Sequence, residues 1–589
     1  MRSAAEHVAI DSFLASHLCD WLDCRQDWLR QSIEAVSEAL REGHSCLNLA
    51  YWAGSVRGDE AGAYRFPELP RWLEQLRTLP ITPDDQAPLV LDRERLYLRR
   101  YWRFETELAE AIGARLQSLP VKQPERVRES LKQLFPAMDE GGETDWQAVA
   151  AANALQQKLT VVAGGPGTGK THTVTRLLAL LAQTDSGPEG EPLRIRMAAP
   201  TGKAAQRLGE SVRAARRSLA ELVTEETLAL IPDEASTLHR LLGVIPNRIQ
   251  FRHGRDNPLK LDVLLVDEVS MIDLPMMTRL FRALPEHARI ILLGDPDQLP
   301  SVAAGSVLAD LALRPHPGYS RERVQQLDAV GLEVEQAEHQ GADYLSYLYR
   351  SRRFSRTGGI GKLARQVMAG DAEGSLETLR AREEGLDWIP PEEVQPQIER
   401  WVKQWYQPIA RAQNKEAAFE ALAAFRLLCP TRVGRQGSLA LNEQILKRIN
   451  PEGRRFFRGQ PIMITENHYG VGLFNGDIGL LWPDDENGDD QLFAWFPTAE
   501  GYRPMAPGRL PPCETVYAMT IHKTQGSEFE RIALVLPEQS HHVVSRELLY
   551  TGLTRARSEV TVCGQDEVWK AGVRNPVERH SGLGERIRQ

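Results

Sequence analysis

The sequence predicts an α/β protein built on parallel sheets with helices on both faces. Three observations lead there. Short apolar runs at 159–163, 194–199, 261–266 and 288–293 recur between Asp145 and Pro315, each followed by polar residues and a helical pattern. Continuous apolar runs of this kind mark strands buried on both faces. A second series begins at 426–432 and resumes at 531–536 and 559–563. Between its parts, residues 453–512 change texture: strands at 462–465, 478–482 and 492–496 alternate with the turn signals Asn475-Gly476-Asp477 and Glu486-Asn487-Gly488-Asp489. That stretch predicts a small antiparallel β insert or barrel, with the segments on either side of it sharing one sheet.

The bulk properties agree. A chain of 589 residues is too long for one core, so three or four domains are expected. Hydrophobic content of 42% and charged content of 26% are those of a soluble protein. No apolar run is long enough to span a bilayer, and Met1–His7 lacks the layout of a signal peptide, so a cytoplasmic location is expected. The six cysteines contain no Cys-x-x-Cys pair and are read as reduced thiols. A net charge of −9 argues against a protein that coats nucleic acid electrostatically, but leaves room for a narrow groove with a few positive contacts.

Residues 1 to about 135 hold no chemical motif. Phe13, Leu18, Trp21, Trp28, Ile33, Val36 and Leu40 recur at helical spacing, and Leu96, Leu98, Tyr101, Trp102, Phe104 and Leu108 suggest a second helix. A helical domain with an aromatic core is expected, followed by a linker at 139–144.

The chemistry begins at Gly164-Gly165-Pro166-Gly167-Thr168-Gly169-Lys170-Thr171, a P-loop pattern set between an apolar strand and a helix. Its glycines let successive backbone N–H groups turn inward on phosphate oxygens, Lys170 reaches the β- and γ-phosphates, and Thr171 holds Mg²⁺. Asp267-Glu268 ends a later strand: Asp267 is the candidate for the Mg²⁺ shell, Glu268 for the attacking water. Gln298, after Gly294-Asp295-Pro296-Asp297, is a neutral amide suited to sensing the γ-phosphate. Thr201-Gly202-Lys203 and Ser236-Thr237-Leu238-His239 lie at strand ends where helices start, as phosphate-backbone contacts do. The arginine cluster 350–353 is either a solvated face or the source of one guanidinium for a phosphate site.

Taken in order, these motifs resemble those of superfamily 1 helicases over roughly 145–565. The resemblance implies two RecA-like P-loop NTPase domains with ATP between them. It makes Gln147 the adenine-reading residue, Arg353 the arginine of the fourth motif and Arg555, in Thr551-Gly552-Leu553-Thr554-Arg555-Ala556, the arginine finger. His522-Lys523-Thr524-Gln525-Gly526 resembles the fifth motif, and Thr201, Lys203, His239, His522 and Thr524 become the DNA-contact candidates. Pro200–Ala205, Val266–Met271 and Asn475-Gly476-Asp477 are similar to the RecD branch, which moves 5′ to 3′ on DNA. Length and layout resemble the alpha chain family of the bacterial RecBCD complex. That likeness implies RecB-like and RecC-like partners in a heterotrimer, DNA ends as substrate, and a nuclease on another subunit. The expected domains are 1–140 (helical, partner-docking), 141–315 (first motor), 316–589 (second motor) and 453–512 (the β insert within it). A stand-alone RecD-like helicase, an ATP-gated clamp that does not unwind, and an RNA helicase are the rival readings.

Overall fold

The computed structural model describes the chain except residues 1–8, 59–62, 121–122, 137–143, 189, 246–247, 352, 354–357, 485–488, 499–500 and 589. The start of the chain, most of the expected linker at 139–144 and the turn at 486–488 therefore lie outside the described residues.

The N-terminal domain begins with an antiparallel helix pair, α1 (Ala9–Trp21) and α2 (Asp27–Arg41). Its other part is a small sheet of β1 (Leu47–Asn48), β2 (Leu89–Asp92) and β3 (Arg95–Leu98), which runs into α3 (Arg99–Gly113). The expected helix over 96–108 thus starts as a strand. Leu96 and Leu98 sit in a hairpin whose turn puts Arg93 at φ +56°. The apolar stripe of α1 also divides. Leu18 and Cys19 face the core, whereas Phe13 and Trp21 are exposed on the opposite side with Ile10.

The first motor domain opens with α4 (Trp146–Gln156) and is built on a parallel sheet of β4 (Leu159–Gly164), β5 (Ile195–Ala199), β6 (Ser236–Thr237), β7 (Val263–Val266), β8 (Arg289–Gly294) and β9 (Leu345–Leu348). The strands lie in the order β9-β4-β8-β7-β5-β6. One face takes Val162, Leu265 and Leu293 against α5 (Lys170–Thr184), with α6 (Gly202–Leu219) beside it. The other face takes Val161, Leu264 and Leu292 against α7 (Leu274–Ala283) and against Phe104, Leu108 and Ile112 of α3. Two expected boundaries move as a result. β9 pairs with β4 in parallel, so the first motor runs well past 315. The N-terminal region is not a separate body ending at 140, because α3 completes the motor's core.

The second motor sheet contains β10 (Leu386–Ile389), β11 (Phe425–Cys429) and, beyond the insert, three more strands. The insert is β12 (Pro461–Ile464), β13 (Ile478–Asp484), β14 (Asp489–Thr498), β15 (Gly501–Met505) and β16 (Cys513–Thr515). All its pairings are antiparallel, in the order β15-β14-β13-β12-β16, and β15 and β16 do not pair with each other among the described residues. The insert is therefore an antiparallel sheet, and barrel closure is not seen. The chain then returns with β17 (Ala518–Thr520), β18 (Phe529–Val535), α8 (Arg546–Leu553), β19 (Ala556–Cys563) and α9 (Asp566–Arg574). The order β10-β19-β18-β11-β17 unites the segments before and after the insert, as expected. A tail ending in α10 (Leu583–Ile587) crosses back to the N-terminal domain.

Candidate nucleotide cleft and nucleic-acid face

Each expected phosphate-binding group emerges at the carboxyl end of a strand of the first motor sheet, where a parallel sheet leaves a crevice. β4 ends at Gly164 and the loop that follows needs glycine twice: φ is +75° at Gly167 and +81° at Gly169. A Cβ on Gly167 would also stand 2.3 Å from the Arg353 Cβ. Lys170 opens α5 and folds its ammonium onto the loop, donating to Gly164 O (2.6 Å) and Gly165 O (3.0 Å). Asp145 caps α4 by accepting from Gln147 N (2.9 Å), which aims the Gln147 side chain at the loop, where Nε2 donates to Thr168 O (3.2 Å).

β7 delivers Asp267 and Glu268. Asp267 N is fixed by Ala198 O (3.0 Å), and Glu268 adopts φ +53°, a left-handed conformation unusual for glutamate and found at functional turns. Burial and the adjacent Glu268 push Asp267 well above the ordinary carboxylate range, with Lys170 opposing them. β8 leads to Asp295, which is buried, and its Oδ2 accepts from Gln298 Nε2 (3.2 Å) and from Tyr550 OH (3.0 Å). Gln298 Oε1 is buried without a partner among the described residues.

The second motor supplies the opposite wall. Arg555 is 3% exposed and points along a cleft of about 390 Å³ that also holds Lys170, Thr171, Asp267, Glu268 and Gln298. Its Nε donates to Thr551 O (3.0 Å) and its Nη1 to Ser527 O (3.2 Å). Arg353 lines the same cleft, ion-paired with Glu528. It lies on the connector just after β9, not in the second motor as expected, because β9 belongs to the first sheet. Arg352 lies outside the described residues.

Sequence reasoning missed two residues that line the cleft, Glu528 and Arg207, and two at the seam beside it, Tyr550 and Thr551. Glu528 is held below its ordinary pKa: burial works against its charge, but Arg353, Arg207 and Arg557 outweigh it. Arg207 stands one helical turn from Lys203 on α6, a spacing that would have found it. Tyr550 adjoins the sixth motif and Thr551 opens it. Thr551 Oγ1 accepts from Leu299 N (2.9 Å), and Gln525 Nε2 donates to Leu299 O (3.2 Å). The two motors are thus stitched together at the residue after Gln298.

The nucleic-acid candidates divide. Thr201 caps α6, accepting from Ala204 N (3.2 Å). Lys203 faces the insert near Asp477, and burial, with Arg207 and Arg426 close by, pushes it down to about 7. Phe474 of the insert lies against Gly202 in the same opening. His239 is exposed at the edge of Phe251, and Thr237 caps its helix by accepting from Arg240 N (3.2 Å). His522 follows β17, half-buried, and is lowered by burial and by Arg579. Thr524 is a correction: it is fully buried and donates to Ile521 O (2.6 Å), so it supports the turn and cannot touch a ligand.

Comparison with known proteins agrees with this layout. Residues 8–97 match the model of the RecBCD enzyme subunit RecD N-terminal domain, 147–304 an AAA domain, and 515–563 a UvrD-like helicase C-terminal domain. RecBCD enzyme subunit RecD of Haemophilus influenzae is 38% identical over 85% of this chain and 81% of its own length. The chain belongs to the RecD family. RecBCD enzyme subunit RecD of Mycobacterium tuberculosis is 36% identical over 98% of this chain and 94% of its own. The ATP-dependent RecD2 DNA helicase of Deinococcus radiodurans is 30% identical over 84% of this chain, but only 59% of that longer protein is covered. The chain is an ATP-dependent DNA helicase subunit.

Proposed function

We propose that this chain is the 5′-to-3′ motor of a RecBCD-type heterotrimer, working on DNA ends beside RecB-like and RecC-like subunits, with the nuclease elsewhere in the complex. The observation that carries the motor is the pair of opposed walls: P-loop, Asp267 and Glu268 on one side, Arg555 on the other. A cleft so divided completes its charge only when a nucleotide bridges both walls. Gln147 reads the base, and the P-loop and Lys170 hold the phosphates. Gln298 Oε1, buried with no partner among the described residues, accepts from the attacking water.

The donor set fits Mg²⁺. Asp267 is crowded by Glu268 and raised by burial, a site that a divalent cation would relieve, and Thr171 supplies the hydroxyl. Bound there, the ion would neutralise phosphate charge. Glu268 orients the water, and Arg353 and Arg555 stabilise negative charge developing on the γ-phosphoryl group. Opening and closing of the walls moves single-stranded DNA past Thr201, Lys203, His239 and His522.

Docking of the N-terminal domain on a partner is supported by the exposed Ile10, Phe13 and Trp21 on α1 (60%, 64% and 55%). No helix among the described residues is long and apolar enough to cross a membrane, and a cytoplasmic site of action goes with this reading. The test uses duplexes with a 5′ or a 3′ single-stranded tail, with and without the candidate partners. Unwinding of the 5′-tailed duplex alone, lost in Lys170→Ala, is expected. Hydrolysis without unwinding in every combination would leave an ATP-gated clamp, and stronger stimulation by RNA than by DNA an RNA helicase. Full unwinding with no gain from partners would favour a stand-alone enzyme.

A further inference from the structure

The tail that leaves the second motor ties three bodies together. Asn575 O accepts from Arg546 N (2.9 Å) and Val577 N donates to Glu547 (2.8 Å), so the chain is still anchored to the second motor there. From His580 onward it belongs to the N-terminal domain. His580 O accepts from Ser45 N (3.0 Å), and His580 N donates to His44 Nδ1 (2.8 Å). Glu105, fully buried, receives Gly582 N (3.1 Å) together with the hydroxyls of Ser45, Ser581 (3.2 Å) and Tyr97 (3.1 Å). A Cβ at Gly582 would lie 2.3 Å from the Tyr97 hydroxyl, so only glycine fits this lock. Two residues, Glu578 and Arg579, span the gap.

Arg579 is the one that reaches inward. Its Nη2 donates to Ser301 O (3.2 Å), its Nη1 donates to Glu42 O, and it lies close enough to His522 to depress that imidazole. Ser301 belongs to the loop 299–305, held a second time where Gly305 N donates to Gly43 O (2.9 Å). At its near end this loop is continuous with Gln298 in the nucleotide cleft and is stitched at Leu299 to Thr551 and Gln525 of the second motor. At its tip Val302 is 76% exposed. One short loop therefore touches the nucleotide site, the second motor, the N-terminal domain and the tail, and Arg579 bridges it to the His522 side of the seam.

We propose that Arg579 is a positioning residue: by holding loop 299–305 from the C-terminal strap, it couples occupancy of the nucleic-acid face to the setting of Gln298 in the nucleotide cleft. The strap around it is a staple between domains. Arg579 makes that staple responsive, because it stands two residues beyond the strap's last bond to the second motor and its guanidinium holds the first motor's loop at Ser301 O, across the seam that must move.

The test compares Arg579→Ala, Arg579→Lys and Glu585→Gln in the full chain, assembled with its partner subunits. Glu585 pairs with Arg93 and Arg95 at the outer end of the strap and does not touch the loop. Three quantities are read: hydrolysis without DNA, hydrolysis with saturating single-stranded DNA, and Tm. Arg579→Ala is expected to lower the ratio of DNA-stimulated to DNA-free hydrolysis about tenfold, within the range of inter-site couplings, with Lys restoring part of it. Glu585→Gln is expected to lower Tm and leave the ratio unchanged. A ratio within about twofold of wild type in Arg579→Ala, or an equal fall in Glu585→Gln, would reduce the strap to a staple and overturn the proposal. Absence of DNA stimulation in the unmodified protein would instead strike at the helicase reading itself.

Discussion

The first motor sheet has two neighbours, and it meets them in opposite ways. On one face it buries Leu108 and Ile112 of α3 and Leu583 of the tail in a continuous apolar core. Along its carboxyl edge it meets the second motor through one buried apolar side chain, Leu299, and a set of polar bonds: Tyr550 to Asp295, Leu299 to Thr551, Gln525 to Leu299. An apolar junction gains with every square ångström removed from water and has no reason to open. Hydrogen bonds contribute a net of only about 0.5–1.5 kcal/mol each, so a junction made of a few can exchange them for bonds to a nucleotide. The molecule keeps its N-terminal domain packed on the first motor and leaves the cleft between the motors free to cycle.

The difference can be broken from either side. The largest effect is expected at the cleft. Arg555→Ala should cut ATP hydrolysis by about 10³–10⁵, the worth of an arginine finger, with a stability loss of only about 1–3 kcal/mol from the Thr551 and Ser527 carbonyls it leaves unpaired. A steady-state assay beside a denaturant titration reads both. A next-largest effect belongs to the apolar face. Leu108→Ala should cost about 2–5 kcal/mol of stability, as large-to-small changes in a packed core do, with an unaltered KM for ATP in the fraction that stays folded. Loss of hydrolysis per folded molecule in Leu108→Ala would show that the two junctions are not independent.

The same contrast explains what could be read from sequence. Residues 164–171, 267–268 and 555 were legible because phosphate chemistry demands fixed residue types at fixed spacing, and the strands before them because double burial requires unbroken apolar runs. The α3 junction was not legible. Phe104, Leu108 and Ile112 have the spacing of any amphipathic helix, and nothing in that spacing names the sheet they cover. β9 was missed for a similar reason: Leu345-Ser346-Tyr347-Leu348 is short, carries a buried serine and lies far from its partner strand β4 in sequence. Thr524 was assigned to the DNA face from its place in a motif. Its burial is set by the 3-10 turn at 521–524, which spacing alone does not fix.

A smaller expected effect sharpens the account of the seam. Tyr550 and Asp295 are both buried and share one hydrogen bond across the two motors. Tyr550→Phe removes the hydroxyl and nothing else, leaving Asp295 with Gln298 and the Asp297 N–H. The loss should be about 1–3 kcal/mol at a buried carboxylate, seen as a rise in ATP consumed per base pair unwound. An unchanged ratio would mean that the Leu299 bonds alone transmit closure.

The finest distinction lies on the nucleic-acid face, between Lys203 and the histidines. Lys203 sits under the insert with a pKa pushed down to about 7, so it is mostly neutral at pH 8.5 and mostly protonated at pH 6.5. His522 and His239 are also lowered, each chiefly by desolvation, so the protein disfavours the charged form of both imidazoles. A gain in phosphate attraction on acidification therefore belongs to Lys203. Each phosphate neutralised on a single strand changes the slope of log K against log salt by about 0.7, so the slope should steepen by up to that amount from pH 8.5 to 6.5. Lys203→Met should remove the pH dependence and keep the slope at its alkaline value. If the steepening survived in that variant, the charge entering the groove would come from elsewhere, and the opening between α6 and the insert would not be the path of the strand.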